Sequence, residues 1–209
     1  MFKRMLKHCK KPGSNFAGRF VLKSMNRGHR KRALYHLEHL PVCEGDLALD
    51  IGCGGGDNLR NLAEMTNGKV VGIDYSPASV KMSRKFCRDL IRQGLVRVIE
   101  GNVAQLPFKD NRFHIATAFE TTYFWPDLTA NFKEVYRILR PGGRFLIGVD
   151  DYEHALPWTK HITDMHVYTD DEMLTAMKTA GFRDLEVYHP EASENLDCVT
   201  FVGFKRSDA

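Results

Sequence analysis

The chain reads as an α/β fold: a Rossmann-like, doubly wound, mostly parallel seven-stranded sheet with helices on both faces and an antiparallel strand near one edge. Three observations predict it. From Leu47 onward short β-rich apolar runs alternate with amphipathic helical stretches, the pattern of a parallel sheet covered on both sides. The first run is followed at once by a glycine-rich stretch, where a strand turns into a helix in such folds. The last two runs are separated only by residues 190–195, a connection too short for a parallel crossover and suited to an antiparallel return.

Taken in order, Leu47–Ile51 is the first strand, and Leu59, Leu62 and Ala63 recur at helical spacing behind it. Val70–Ile73 is the second strand, and Pro77–Gln93 reads as one helix ended by Gly94. Val96–Ile99 and Phe113–Phe119 follow as third and fourth strands. Leu128, Phe132, Val135 and Leu139 mark one helix face. Pro141-Gly142-Gly143 is expected to stop that helix, and Phe145–Val149 to be the fifth strand. Thr169 with Glu172 three residues later forms a capping box, and Gly181 stands where a left-handed terminator belongs. Leu185–Tyr188 and Val199–Phe204 complete the set.

With 209 residues, 43% hydrophobic and 27% charged, the composition is that of an ordinary globular protein. No apolar run is long enough to cross a bilayer. The charge is unevenly distributed. Eleven of the thirty Lys and Arg precede the first acidic residue, Glu38, which leaves nineteen basic against twenty-six acidic residues in the remainder. The chain therefore divides into a basic arm and cap helix, 1–40, and a ligand-binding domain, 41–209. Such an arm could touch nucleic acid or an anionic surface, a reading weighed against a plain solvated leader. The arm lacks the apolar stretch of a secretory signal and the serine content of a transit peptide. Five separated cysteines without a C-x-x-C pair point to no disulfide framework and no structural zinc, and fit a cytoplasmic setting. His8, His36, His39, His114, His154 and His189 show no metal-ligand spacing, so no metal is expected. Oligomeric state is not read from the sequence.

The chemistry is concentrated around Asp50-Ile51-Gly52-Cys53-Gly54-Gly55-Gly56-Asp57. Glycines after a buried strand permit positive φ and let a ligand press on bare backbone, and the next helix offers its unpaired N–H groups. A dinucleotide fingerprint requires a third glycine where this chain has Asp57. Asp57 is expected to cap the helix and to repel a pyrophosphate, and Asp50 adds a second carboxylate. That pair favours a ligand carrying an ammonium and a sulfonium, as S-adenosylmethionine does. Asp74 follows the second strand, where a carboxylate accepts the hydroxyls of an adenosyl ribose.

These motifs, with Gly101-Asn102-Val103-Ala104-Gln105-Leu106-Pro107-Phe108 and Glu134-Val135-Tyr136-Arg137-Ile138-Leu139-Arg140-Pro141-Gly142-Gly143, resemble class I S-adenosylmethionine-dependent methyltransferases of the small-molecule, UbiE-like type. The resemblance covers nearly all of the chain after about Leu40. It implies that Gly52, Cys53 and Gly54 lie under the methionine portion, that Asp74 binds the ribose, and that Tyr75 flanks the adenine. It also implies that Val103 offers its N–H to the ring and that Phe119 borders the donor. Asn102 stands where the family usually has Asp, and its amide oxygen keeps an acceptor.

Phe119–Pro126 leaves the fourth strand at the edge where such folds bind substrates. Its aromatic residues read either as a wall facing the transferred methyl or as packing under the next helix. The long connection Asp150–Tyr168 reads as a lid, and residues 25–29 resemble a cap segment of this family, which implies that they close over the donor. Methyl transfer requires alignment and exclusion of water, with a base only for a protonated nucleophile. The candidates for that base are His29, Glu120 and Tyr123. The region after the fourth strand lacks the Asn/Asp-Pro-Pro-aromatic motif of amino-methylating nucleic-acid enzymes, and it lacks the thiol that cytosine methylation needs. A small organic acceptor is therefore expected, with RNA or protein as the alternative. A nicotinamide-dependent oxidoreductase and a non-catalytic donor-binding module are the competing classes.

Overall fold

The computed structural model describes residues 30–207. The helical stretch 30–38 (α1) comes first, then β1 (Ala48–Ile51), α2 (Asp57–Thr66), β2 (Val70–Asp74), α3 (Pro77–Phe86), α4 (Arg88–Arg92) and β3 (Val96–Glu100). After them come β4 (Phe113–Phe119), a 3-10 turn at Thr122–Phe124, α5 (Leu128–Ile138), β5 (Leu139–Asp150), α6 (Tyr152–Ala155) and a second 3-10 turn at Leu156–Lys160. The last elements are α7 (Asp170–Ala180), β6 (Arg183–Tyr188), a third 3-10 turn at Ala192–Glu194 and β7 (Cys198–Phe204).

One seven-stranded sheet has the order β3-β2-β1-β4-β5-β7-β6. β3, β2, β1, β4 and β5 are parallel, and β7 runs antiparallel between β5 and β6. Strand residues alternate between two cores, as period-2 geometry requires. Leu49, Ile51, Val71, Ile73, Phe145 and Ile147 face α5 and α7, among them Phe132, Val135, Met173 and Met177. Ala48, Val70, Val96, Ile115, Leu146 and Val202 face α1, α2 and α3 through Leu37, Leu40, Leu59, Leu62 and Val80. The glycine-rich turn follows the buried central strand and so opens at the middle of the sheet's carboxyl edge.

His36 of helix α1 and His39 just after its end pack on a single rung of the sheet. Phe119, Gly148, Thr200 and Tyr188 are successive cross-strand partners. The buried His36 ring presses on bare Gly148, its Nδ1 lies 2.7 Å from Thr200 Oγ1, and His39 stacks on Tyr188 at 4.0 Å. Arg32, one turn earlier, pairs with Asp150 at the carboxyl end of β5, whereas Pro41 O accepts from Arg144 Nε further down the same strand. α1 therefore runs antiparallel to β5, and its first described residues stand at the carboxyl edge.

Three sequence expectations are corrected. The helix expected over 77–93 is two helices broken at Cys87, whose N–H still bonds to Ser83 O while its thiol turns to Gly56 O. β5 begins at Leu139 instead of Phe145, because Pro141–Gly143 does not end a helix but forms an irregular stretch within the strand. Gly142 adopts a φ of +75° there, and Gly142 N–H and Gly143 O bond to Lys205. Asp57 is the first residue of α2 and not its cap. The cap is Gly56, in the left-handed region and with no side chain to bond. The α7 boundaries match expectation, with both Thr169–Glu172 capping bonds present and Gly181 left-handed.

Candidate active site

The turn after β1 is pulled onto β2 by backbone bonds. Gly52 N–H and Cys53 N–H both donate to Ile73 O, at 2.8 and 3.2 Å, and Gly54 N–H donates to Asp74 Oδ2 at 2.9 Å. Gly52 and Gly54 have φ of +76° and +49°, a region that side chains disfavour. A Cβ on Gly52 would sit 2.8 Å from Thr121 Cβ, so this glycine also makes room for the segment leaving β4. A Cβ on Gly56 would meet Ser83 Cα at 3.1 Å, so Gly56 lets α3 approach the turn. Ser83 Oγ donates to Gly54 O at 2.7 Å and lies 3.7 Å from the buried Cys53 Sγ. Burial and the charges of Asp50 and Asp74 raise the Cys53 thiol well above its ordinary range, so Cys53 is an uncharged wall and not a nucleophile.

Two carboxylates flank the turn. Asp74, 7% exposed, accepts from Gly54 N–H through Oδ2 and from Ser76 N–H at 2.8 Å through Oδ1. Each carboxylate oxygen has a second lone-pair site, so the group retains acceptor capacity. Its pKa is raised by burial, against which the Ser76, Gly54 and Ser79 bonds act. Asp50, 2% exposed, accepts from Thr117 Oγ1 at 2.8 Å. Burial pushes it up to about 7, with the Thr117 bond opposing and the charge of Asp74 adding. Both acids are costly to ionise in this dry, mutually repulsive setting, and a cation placed between them would relieve that cost. A diphosphate would add to it. Tyr75, half-buried, follows Asp74, and burial lifts its hydroxyl to about 12.

The loop after β3 lies at the same edge. Asn102 is exposed, and its Oδ1 accepts from Ala104 N–H at 3.0 Å. The amide oxygen expected to face a ligand is therefore first used to shape the loop. Val103 is buried beside Leu106 and anchors it. The second long motif holds the first. Glu134 Oε1 accepts from Leu106 N–H at 2.7 Å, and Arg137 donates to Leu106 O, Phe108 O and Asp110 while forming a two-pronged pair with Glu134. Sequence reading recognised both motifs but not this clamp, although a Glu and an Arg three apart on one helix face were visible.

Where β4 ends, Phe119 is half-buried, 5.8 Å from the His36 ring. Glu120 has a φ of +52° and stays tied to β5 through its N–H to Gly148 O. Tyr123 OH donates to Glu120 Oε2 at 3.0 Å and accepts from Asp150 N–H at 2.6 Å. Burial first, then the charge and hydrogen bond of Glu120, hold the Tyr123 hydroxyl well above its ordinary value. Trp125 is buried edge-on to Phe132 of α5, at 5.9 Å between ring centroids, and Phe124 packs on the same core. Of the two readings for these aromatics, packing under the helix is the one observed. His29 lies outside the described residues. The structure thus gathers Asp50, Gly52, Cys53, Gly54, Asp74, Tyr75, Asn102, Val103, Phe119, Glu120 and Tyr123 along one edge of the sheet. Thr117, Thr121, Ser83, Asp150 and Arg32 were missed, since nothing in their local sequence marks a tertiary contact.

This geometry has relatives. A family model described as a methyltransferase domain matches residues 49–147. Residues 49–147 carry a methyltransferase domain, in the fold of the class I S-adenosylmethionine-dependent methyltransferases. Among curated members it is 31% identical over 173 residues to sterol 24-C-methyltransferase erg6 of Aspergillus fumigatus, covering 75% of this chain and 44% of that one. It is 27% identical over 166 residues to methyltransferase phqN of Penicillium fellutanum, covering 73% and 51%. The chain thus spans about half the length of these methyltransferases. A methyltransferase solved in complex with the Haloferax volcanii Trm112 methyltransferase activator superposes with a TM-score of 0.77 at 26% identity, over 88% of this chain and 93% of that one. Among the described residues no helix is long and apolar enough to cross a membrane, and Cys43, Cys53, Cys87 and Cys198 are free thiols.

Proposed function

We propose that the protein transfers a methyl group from S-adenosylmethionine to a small organic acceptor. The observation that carries this reading is the pair of buried carboxylates, Asp50 and Asp74, around a turn whose positive-φ glycines leave its backbone bare. Such a site suits a nucleoside bearing positive charge and disfavours a diphosphate.

In this reading S-adenosylmethionine, when bound, would supply a methyl that an in-line lone pair takes as the carbon–sulfur bond breaks, with S-adenosylhomocysteine as the leaving group. Asp74 accepts the ribose hydroxyls with its remaining lone pairs. Gly52, Cys53 and Gly54 lie under the methionine portion, and Asp50 offsets its positive charge. Tyr75, Asn102, Val103 and Phe119 border the nucleoside. Glu120 takes the proton of an acceptor that carries one. Tyr123, whose hydroxyl stays neutral, orients Glu120 and is not itself the base. α1 covers the sheet beside Phe119 and keeps water from that side, since exclusion of solvent is most of what this reaction asks of a protein. A cytoplasmic setting, suited to the four free thiols among the described residues, belongs to the same reading.

Calorimetric titration with S-adenosylhomocysteine and with NADH tests the donor, and release of S-adenosylhomocysteine against a panel of small amines, thiols, phenols and quinols tests the acceptor class. Binding of the homocysteine product without binding of NADH, followed by turnover of a panel member, is expected. Binding of NADH alone would reject the reading.

A further inference from the structure

Four residues from four segments form a chain between helix α1 and the end of β4. The Asp150 N–H can only donate, so the Tyr123 hydroxyl accepts there and directs its single proton to Glu120 Oε2. The Asp150 carboxylate pairs with Arg32. His36, one turn further along α1, is fixed between Gly148 and Thr200, so the helix that carries Arg32 is seated on the same strand. Among the described residues, Glu120, Arg32 from α1 and Cys198 from the start of β7 act on the Tyr123 hydroxyl, Asp150 at the end of β5 faces Arg32, and Cys198 in turn feels Arg32, Glu120, Asp151 and Glu194 of the third 3-10 turn. Arg32 is the cation of this set, and it acts on both Tyr123 and Cys198 against the carboxylates.

We infer that Arg32 is a positioning residue for methyl transfer: paired with Asp150, its guanidinium holds the Tyr123–Glu120 hydrogen bond in place and balances the charge of both carboxylates. This rests on the reading of Glu120 as the proton acceptor on the acceptor side. The helix before the sheet is then part of the reaction machinery.

The test uses the full-length protein labelled with [13Cζ]tyrosine, in which Tyr123→Phe identifies the Tyr123 signal among the seven tyrosines. That signal should inflect with pH as the carboxylate it bonds gains a proton, and the inflection should vanish in Glu120→Gln. Arg32→Ala should move the inflection to higher pH by about one unit or more, as for a carboxylate that loses a neighbouring cation. Arg32→Lys should restore most of the displacement. Adding Asp150→Asn to Arg32→Ala should bring the inflection back down, which a mere loosening of α1 would not do. An inflection unmoved in Arg32→Ala, or a double variant that stays displaced, would overturn the inference. S-adenosylhomocysteine affinity measured on the same samples separates the two readings. Affinity kept within about twofold in Arg32→Ala supports a positioning role, and a parallel fall in affinity overturns it. A wild-type protein that binds no S-adenosylhomocysteine overturns the methyltransferase reading itself.

Discussion

Gly52 meets two demands that no other residue satisfies together: a φ of +76° and a surface on which Thr121 rests. Gly52→Ala is expected to abolish measurable S-adenosylhomocysteine binding. Thr121→Gly should restore it only in part, because removing the clash leaves the left-handed strain of about 1–2 kcal/mol. Asp50 shows the opposite balance between stability and ligand. Its folded-state value of about 7 lies above the ordinary 3.8, so its contribution to stability is present below about pH 4 and is lost as the pH rises through about 7. Asp50→Asn should therefore raise the melting temperature of the ligand-free protein, by more at pH 8 than at pH 5, and should weaken donor binding. A variant less stable than wild type at pH 8 would show that Asp50 is not held against its own desolvation. Much of this was legible in the sequence, because a glycine run after an apolar strand and acids spaced around it are local signals. The identity of the residue over Gly52 was not legible, since Thr121 reaches it from the segment leaving β4, nearly seventy positions along the chain.

At the scale of elements, the loop 101–108 owes its shape to α5. Glu134 and Arg137 bind three of its backbone groups, and truncating one partner leaves the others unsatisfied. Glu134→Ala is expected to cost about 1–3 kcal/mol and to speed amide exchange at residues 102–108. If exchange there is unchanged while the melting temperature falls, the clamp does not hold that loop. Helix ends were read correctly where side chains specify them, as at Thr169 and Gly181. They were missed where tertiary contacts decide. Pro141–Gly143 resembles a helix stop, yet its pairing with Lys205 keeps it in the sheet. The bend at Cys87 follows from its thiol bonding to the glycine turn, a contact across thirty-one positions.

For the whole molecule, α1 and the sheet share one core. Leu37 and Leu40, at 2% and 5% exposure, pack with Leu146 and Val202. The sequence division at residue 40 follows a change in charge, and the proposal that follows from the packing is that residues 30–40 melt with the domain. Leu37→Ala should cost about 2–5 kcal/mol within a single unfolding transition. A separate low-temperature transition would mark α1 as an appended piece. The seven strands and the antiparallel one near the edge could be anticipated because each strand carries its own period and its own flanking turn. The seating of α1 on one rung, by contrast, depends on His36 fitting over Gly148, and the helical spacing of Leu34, Leu37 and Leu40 does not reveal it.

Methyl transfer at this site requires that Asp74 hold the ribose of an adenosyl ligand at the glycine turn. Calorimetric titration of S-adenosylhomocysteine into the wild-type protein and into Asp74→Asn measures that most directly. The account predicts saturable binding to the wild type and at least a tenfold loss in the variant, about 1.4 kcal/mol or more. Equal affinity in the two proteins would contradict it.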